Sequence, residues 1–166
     1  MSPNPARQMR RKEAEDLVRR HGSPLMVIHQ EVIERNFQAL RGLLPRVQMF
    51  YAVKANPDRR IMKTVLDLGG GLDVASAGEL DLARELVSDP SRILYTQPIK
   101  SEAQIAHARQ RDVRLLVCDN EEEVRKIAAH HPDCRLMLRI RVTNPYCVVN
   151  LGEKFGCEVG DVPHLA

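Results

Sequence analysis

The chain has no tryptophan and only three tyrosines and three phenylalanines in 166 residues. That is too few rings for a surface on which nucleic-acid bases stack. No apolar run approaches the roughly 20 residues that a membrane-spanning helix needs. Neither nucleic acid nor membrane is therefore expected as a partner. Cys118, Cys134, Cys147 and Cys157 are widely and unevenly spaced, without a C-x-x-C pair. Unpaired thiols in the cytoplasm are the expected state. The six histidines show no metal-ligand spacing, and His130-His131 before Pro132 reads as a helix C-terminus, so no metal is expected. The basic cluster Arg7-Gln-Met-Arg-Arg-Lys12 is followed by Glu13, Glu15 and Asp16 and by no apolar stretch, which makes it a solvated helix start and not a targeting signal. No G-x-G-x-x-G or Walker loop follows a strand, so a nucleotide-binding open sheet loses its best support.

What remains is ordinary globular composition, 43% hydrophobic and 28% charged with net charge +3, enough for one core of moderate size. Residues 1–10 read as disordered, 11–20 as a short amphipathic helix ending at Gly22, and Pro24–His29 as a strand. Val32, Ile33, Phe37, Leu40 and Leu44 share one face of a helix from about Glu31 to Leu44, stopped by Pro45. A regular rhythm follows. Strand-like runs at Val47–Val53, Gly71–Ala75, Ile93–Tyr95, Val113–Cys118 and Cys134–Ile140 alternate with helical patterns at Arg59–Leu68, Gly78–Val87, Ser101–Arg109 and Glu121–His130. Ser76-Ala-Gly-Glu79 fits a capping box, and Asp119 with three following glutamates places an acceptor and negative charge at a helix start. Gly69-Gly-Gly71 reads as a flexible helix-to-strand loop. Alternation of this kind predicts α/β architecture with a parallel sheet, either a (β/α)8 barrel or an open doubly wound sheet.

In a barrel the active site lies at the C-terminal ends of the strands. The residues at those ends are Lys54, Asp73, Gln97, Asp119 and Arg139: an amine, two carboxylates, an amide and a guanidinium around one mouth. Lys54 is the most telling. It closes the apolar run Val47-Gln-Met-Phe-Tyr-Ala-Val-Lys-Ala-Asn-Pro57, where burial would lower its pKa and make the amine a nucleophile able to form an imine with a carbonyl. The plainer alternative is a lysine that marks the strand's exit into solvent.

Five segments also resemble a known family. They are Tyr51-Ala-Val-Lys-Ala-Asn-Pro57, Leu72-Asp-Val-Ala-Ser-Ala-Gly-Glu79, Ile93-Leu-Tyr-Thr-Gln-Pro-Ile-Lys100, Leu138-Arg-Ile140 and Lys154-Phe-Gly156, in order over residues 24–156. Together they are similar to the pyridoxal-phosphate decarboxylases of the alanine-racemase-like barrel group, which act on ornithine, lysine, arginine or diaminopimelate. The Ile93–Lys100 text looks most like ornithine decarboxylases, whereas Ser76–Glu79 looks more like diaminopimelate decarboxylases. The resemblance implies pyridoxal 5'-phosphate as cofactor, held covalently by Lys54 as the catalytic lysine, with Asp73 and Arg139 beside it. Glu79 matches a family acid near the cofactor, although a cap explains it, and Lys154 matches a lysine near the active site and subunit interface, with a solvated loop lysine as the alternative.

On this reading residues 1–23 are an extension with a short helix, and residues 24–166 are the N-terminal part of a cofactor-binding barrel. About five of the eight βα units would be present, with the C-terminal β domain absent. The family's chains are more than twice as long, so the chain is expected to be a portion that is inactive alone and that associates through apolar sheet edges. The complete protein would be a cytoplasmic homodimer converting an ornithine-like amino acid to a diamine for polyamine biosynthesis. The alternatives are a diaminopimelate decarboxylase, a racemase of the same barrel group, or a non-catalytic binding protein of the antizyme-inhibitor kind.

Overall fold

A computed structural model describes residues 9–142, 146, 152 and 154–165. The chain divides into two compact units, Met1–Val47 and Gln48–Ala166. The first contains α1 (Arg11–His21) and α2 (Gln30–Leu43). Gly22, at φ +84°, ends α1 by returning its N–H to the Val18 carbonyl at 2.8 Å. Residues 25–29 are unpaired and form no strand, contrary to the sequence expectation for Pro24–His29. Leu25, Met26, Val27 and Ile28 are all exposed there. An apolar run becomes a strand only beside a ladder partner, and the described residues offer it none.

The second unit is a five-stranded parallel sheet. Its strands are β1 (Phe50–Ala52), β2 (Gly71–Val74), β3 (Ile93–Tyr95), β4 (Leu115–Cys118) and β5 (Arg135–Leu138), adjacent in chain order. Between them run α3 (Arg59–Asp67), α4 (Ala77–Leu86), α5 (Glu102–Gln110) and α6 (Glu121–His130), and α7 (Val162–Leu165) comes last. A doubly wound sheet must reverse its strand order at a switch point. Here the order never reverses, so crossovers of one hand leave the helices on one face, as in a barrel. The architecture is a partial (β/α)8 barrel of five units. Among the described residues no helix is long and apolar enough to cross a membrane.

Each of α3 to α6 begins with a side-chain cap: Asp58, Ser76, Ser101 and Asn120 accept the N–H of Arg60, Glu79, Gln104 and Glu123 respectively. These bonds satisfy donors that the helix itself cannot. The core lies between sheet and helices. Leu72, Val74, Ile93, Tyr95, Leu116 and Cys118 are buried on that side against Met62, Leu80, Ala83, Ile105, Ala108 and Ile127.

The Gly69-Gly-Gly71 run is not a flexible loop. Gly69, at φ +88°, and Gly70 return their N–H groups to Leu66 and Val65 at 3.0 and 2.9 Å, which closes α3 with a Schellman motif. Arg92 then donates to the carbonyls of Leu66 and Gly70. Gly71 opens β2 where a Cβ would lie 2.5 Å from the Phe50 ring and 2.8 Å from the Arg92 carbonyl. Gly71→Ala is therefore expected to destabilise the fold by about 1–3 kcal/mol through overpacking. Gly78→Ala, in open space on α4, should be neutral or stabilising by about 0.5 kcal/mol. Urea titration of both variants separates a packing constraint from a flexible loop.

Candidate active site

Strand alternation assigns the chemistry to one face. Ala52 pairs with Asp73 and Asp73 with Leu94, and paired residues share a side of a sheet. Leu72 and Val74 belong to the helix-facing core, so Asp73 faces the other way, toward the barrel interior. Thr96 and Arg139 prolong the ladder past β3 and β5, their N–H groups bonding the carbonyls of Val74 at 3.0 Å and Cys118 at 2.8 Å. Counting in steps of two from Leu94 and Met137 places both on the inner face, at the C-terminal mouth.

Lys54 sits differently from the sequence expectation. β1 stops at Ala52, and Val53–Ala55 form one 3-10 turn in which Val53 is buried and Lys54 is exposed. The alternating pattern that anticipated burial does not extend into that turn. Tyr51 Oη donates to the Asn56 carbonyl at 3.1 Å and Asn56 Oδ1 accepts the Asp58 N–H at 3.1 Å, which fixes the Ala-Asn-Pro exit. The amine of Lys54 has no hydrogen-bond partner among the described residues, and its charge is felt by Asp73.

Asp73 is half-buried and accepts a short hydrogen bond from Thr96 Oγ1. Burial pushes its carboxyl above the usual carboxylate range, against the pull of Thr96 and then of Lys54, while the negative charge of Glu79 adds to the rise. Glu79 is the cap expected of it in altered form: Ser76 Oγ accepts its N–H at 3.2 Å, but its carboxylate reaches the Ala75 N–H at 2.7 Å.

On the other side of the mouth Asp119 is not the helix cap. Asn120 takes that place, accepting the Glu123 N–H at 2.8 Å. Asp119 instead receives the N–H of Gly156 at 2.9 Å, 37 residues further along the chain. Gly156, at φ +98°, has no room for a Cβ, which would lie 2.7 Å from the Arg141 nitrogen. The Arg139 guanidinium stands 4.6 Å and the Lys154 ammonium 5.0 Å from the Phe155 ring centroid, a cation–π arrangement that holds the arginine plane in place. Gln97 lies past β3 and contributes its carbonyl to Lys100 Nζ at 2.8 Å.

The sequence reading missed Thr96, Asn120, Phe155 and the buried pair Lys100 and Glu123. Thr96 could have been found as the next inward position after Leu94; the pair carries no local signal. Among the described residues Cys118, Cys134 and Cys157 are free, and burial pushes the Cys118 thiol up to about 11, away from the reactive thiolate. Cys147 lies outside the described residues.

The parallel sheet thus carries an amine, acids and a guanidinium at the C-terminal ends of its strands. Residues 30–166 match the family described as pyridoxal-dependent decarboxylase, pyridoxal binding domain. The chain belongs to that family. It is 36% identical over 154 residues to the lysine/ornithine decarboxylase of Selenomonas ruminantium, covering 93% of this chain and 39% of that one. Antizyme inhibitor 2 of Xenopus laevis is 36% identical over 126 residues, covering 76% of this chain and 27% of that one. The crystal structure of lysine decarboxylase from Selenomonas ruminantium superposes with a TM-score of 0.88 at 35% identity, over 95% of this chain and 42% of that one. The chain thus spans about two fifths of the length of those decarboxylases.

The displaced titration of Asp73 has a testable sign. With its folded pKa raised, the unfolded chain loses the proton first as pH rises, so stability falls above the ordinary carboxylate value and is regained in acid. Asp73→Asn removes the charge and keeps an acceptor for Thr96. It should melt above the unsubstituted protein at neutral pH, with the gap closing as pH drops through the carboxylate range. Thermal melts between pH 3 and 8 check this, and a gap that widened in acid would contradict it.

Proposed function

We propose that the protein carrying this chain decarboxylates a basic amino acid of the ornithine or lysine class, using pyridoxal 5'-phosphate held by Lys54. The observation that carries the reading is the Lys54 amine. It stands without a hydrogen-bond partner among the described residues, at the strand-end mouth, within electrostatic reach of the half-buried Asp73. The donor set fits the cofactor: an amine for its carbonyl carbon, carboxylates for its cationic side, and a guanidinium in contact with the Phe155 ring. When bound, the cofactor supplies an electron sink for the bond broken as carbon dioxide leaves.

The chain's own residues supply the rest. Lys54 can carry a proton at Nζ beside the reacting carbon. Asp73, kept in place by Thr96, holds a carboxyl within electrostatic reach of that amine. Arg139 offers a fixed positive charge, and Asp119 holds the Gly156 backbone so that Phe155 stays under it. The reading also includes a homodimer, a small-molecule amino-acid substrate, a diamine product feeding polyamine biosynthesis, and a cytoplasmic setting, the last in keeping with the free thiols. The likeness to antizyme inhibitor 2 favours a second reading, a decarboxylase-like regulatory protein without turnover. The presence of Lys54 weighs against it.

Borohydride treatment in the presence of pyridoxal phosphate should fix the cofactor to Lys54, located by peptide mass. Lys54→Ala should abolish this labelling and lower kcat by about 10²–10⁴-fold or more. Labelling at another lysine would overturn the assignment. Carbon dioxide release should be faster from ornithine or lysine than from diaminopimelate; the reverse preference would sink the substrate class, and labelling without release from any of the three would favour the regulatory reading.

A further inference from the structure

The ladder of the sheet is uneven. β1 and β2 share three register pairs, β2 and β3 three, and β4 and β5 four, but β3 and β4 share only Tyr95 with Leu116. The thinnest joint therefore lies in the middle of the sheet, between the strand that leads to Thr96 and the one that leads to Asp119. At that joint sits a lysine without access to solvent. Lys100 Nζ donates to the carbonyls of Gln97 at 2.8 Å and Val117 at 2.7 Å, with the Pro98 carbonyl further off at 3.4 Å. It also lies 2.9 Å from Glu123 Oε1. An ammonium has three N–H donors, and three short contacts use them all. Gln97 is two residues past Tyr95 and Val117 one past Leu116, so the amine bridges the strands where their own ladder ends.

Glu123, on the first turn of α6, is satisfied in turn. Its Oε1 also accepts the Lys100 N–H at 3.0 Å, and its Oε2 pairs with Lys126 at 2.6 Å. Both side chains are buried, at 0% and 1% exposure, and Tyr95 offers its ring 5.8 Å from the amine. Fully desolvated and facing the helices, Lys100 has no route to a substrate. Burial draws its pKa below that of an ordinary lysine, against the pull of Glu123.

We propose that Lys100 is a positioning residue of the cofactor site: it ties the C-terminal ends of β3 and β4 to each other and to α6, and so sets where Thr96 and Asp119 stand. The inference rests on the proposed function for its catalytic consequence and on geometry alone for the joint. Thr96, next to Gln97, is the donor that holds Asp73. Asp119, two residues after Val117, holds Gly156. Arg139 hangs its N–H on the carbonyl of Cys118, the residue after Val117. Partners on both sides of the mouth thus depend on one ammonium. Misplacement of such groups by a fraction of an ångström is enough to cost binding and rate.

A buried ion pair can often be replaced by apolar residues of similar volume without loss of stability, whereas removing one partner leaves the other charge stranded. This separates positioning from folding. Lys100→Met alone is expected to fold poorly, because the buried Glu123 loses its fully desolvated charge partner and keeps only Lys126. Lys100→Met/Glu123→Met should melt within about 5 °C of the unsubstituted protein, yet leave the Gln97 and Val117 carbonyls without their donor. Hydrogen exchange at the Thr96 and Arg139 amides, neither bonded to a replaced group, should then accelerate by about tenfold or more. Pyridoxal phosphate affinity, read by absorbance titration, should weaken by about tenfold, and kcat should fall with it. Lys126→Met, which removes only the outer partner of Glu123, should stay within about twofold on all three. A stable double variant with unchanged amide protection and cofactor affinity would show Lys100 to be a filler and overturn the proposal. An unsubstituted protein that takes up no cofactor, with protection still dependent on Lys100, would overturn the functional reading and leave the joint intact.

Discussion

The constraint behind the rest of the structure is the alternation of side chains along very short strands. Each strand contributes only three or four residues to the ladder, and each must serve two environments at once. The helix side takes Leu72, Val74, Ile93, Tyr95, Leu116 and Cys118, all buried. The inner side receives what is left, and on β2 that is a carboxylate. Asp73 cannot turn away without exchanging places with Leu72 or Val74, because a one-residue slip would move the whole set to the opposite face. The core of the sheet therefore fixes the direction of Asp73 before any chemistry is considered. Since the strands end so soon, the remaining polar groups stand just beyond them, on Lys54, Thr96, Asp119 and Arg139, where turns and single hydrogen bonds decide their placement.

The two ends of the strands are built by different means. At the N-terminal end the contacts are steric and backbone-centred: the Schellman closure of α3, the arginine of the β3 approach on the Leu66 and Gly70 carbonyls, and Gly71 against the Phe50 ring. The far end of α5 repeats the pattern, with Asp112 at φ +56° as Asp112 and Val113 return their N–H groups to Arg109 and Ala108. At the C-terminal end the contacts are made by polar side chains, several of them reaching across many residues of sequence. The first set favours a single rigid register. The second allows chemistry at the cost of holding charges in partial desolvation.

That division explains what was legible in the sequence. The strands and helices of the second unit fall within a few residues of the expected positions, because periodicity and caps report local structure and each helix carries its own start signal. Lys54 was correctly placed at a strand end, and its exposure follows the plainer of the two readings, since a 3-10 turn interrupts the alternation after Ala52. Asp119 and Asn120 are chemically interchangeable as caps, and only the tertiary pull of Gly156 on Asp119 separates them. The strand expected at Pro24–His29 had the composition but lacked a neighbour. Lys100 closes one of the family-like segments, but Glu123, 23 residues on, lies in an ordinary helix start, so nothing local marks the two as one buried pair.

Where the sequence's local rules fail, the failures gather. Asp73 is a carboxylate held above its ordinary range by burial. The Tyr95 hydroxyl is buried without a hydrogen-bond partner among the described residues, and burial, with the negative charges of Glu79 and Glu123, pushes the phenol up to about 12. Lys100 is an ammonium with no solvent at all. All three belong to β2, β3 and the turn after β3, around the mouth that also presents Lys54. A domain selected for stability alone would fill such positions with apolar residues, since unpaired or desolvated polar groups are among the more costly features a core can hold. The His131 Nδ1, at the other end of the sheet, is also buried without a hydrogen-bond partner among the described residues, but the shifted carboxyl, phenol and amine share one end, the pattern expected when pKa and placement are tuned for a cofactor. Pairing supports two of them: Thr96 for Asp73 and Glu123 for Lys100. Support for the mouth thus runs inward from Glu123 on α6 through Lys100 to the ends of β3 and β4.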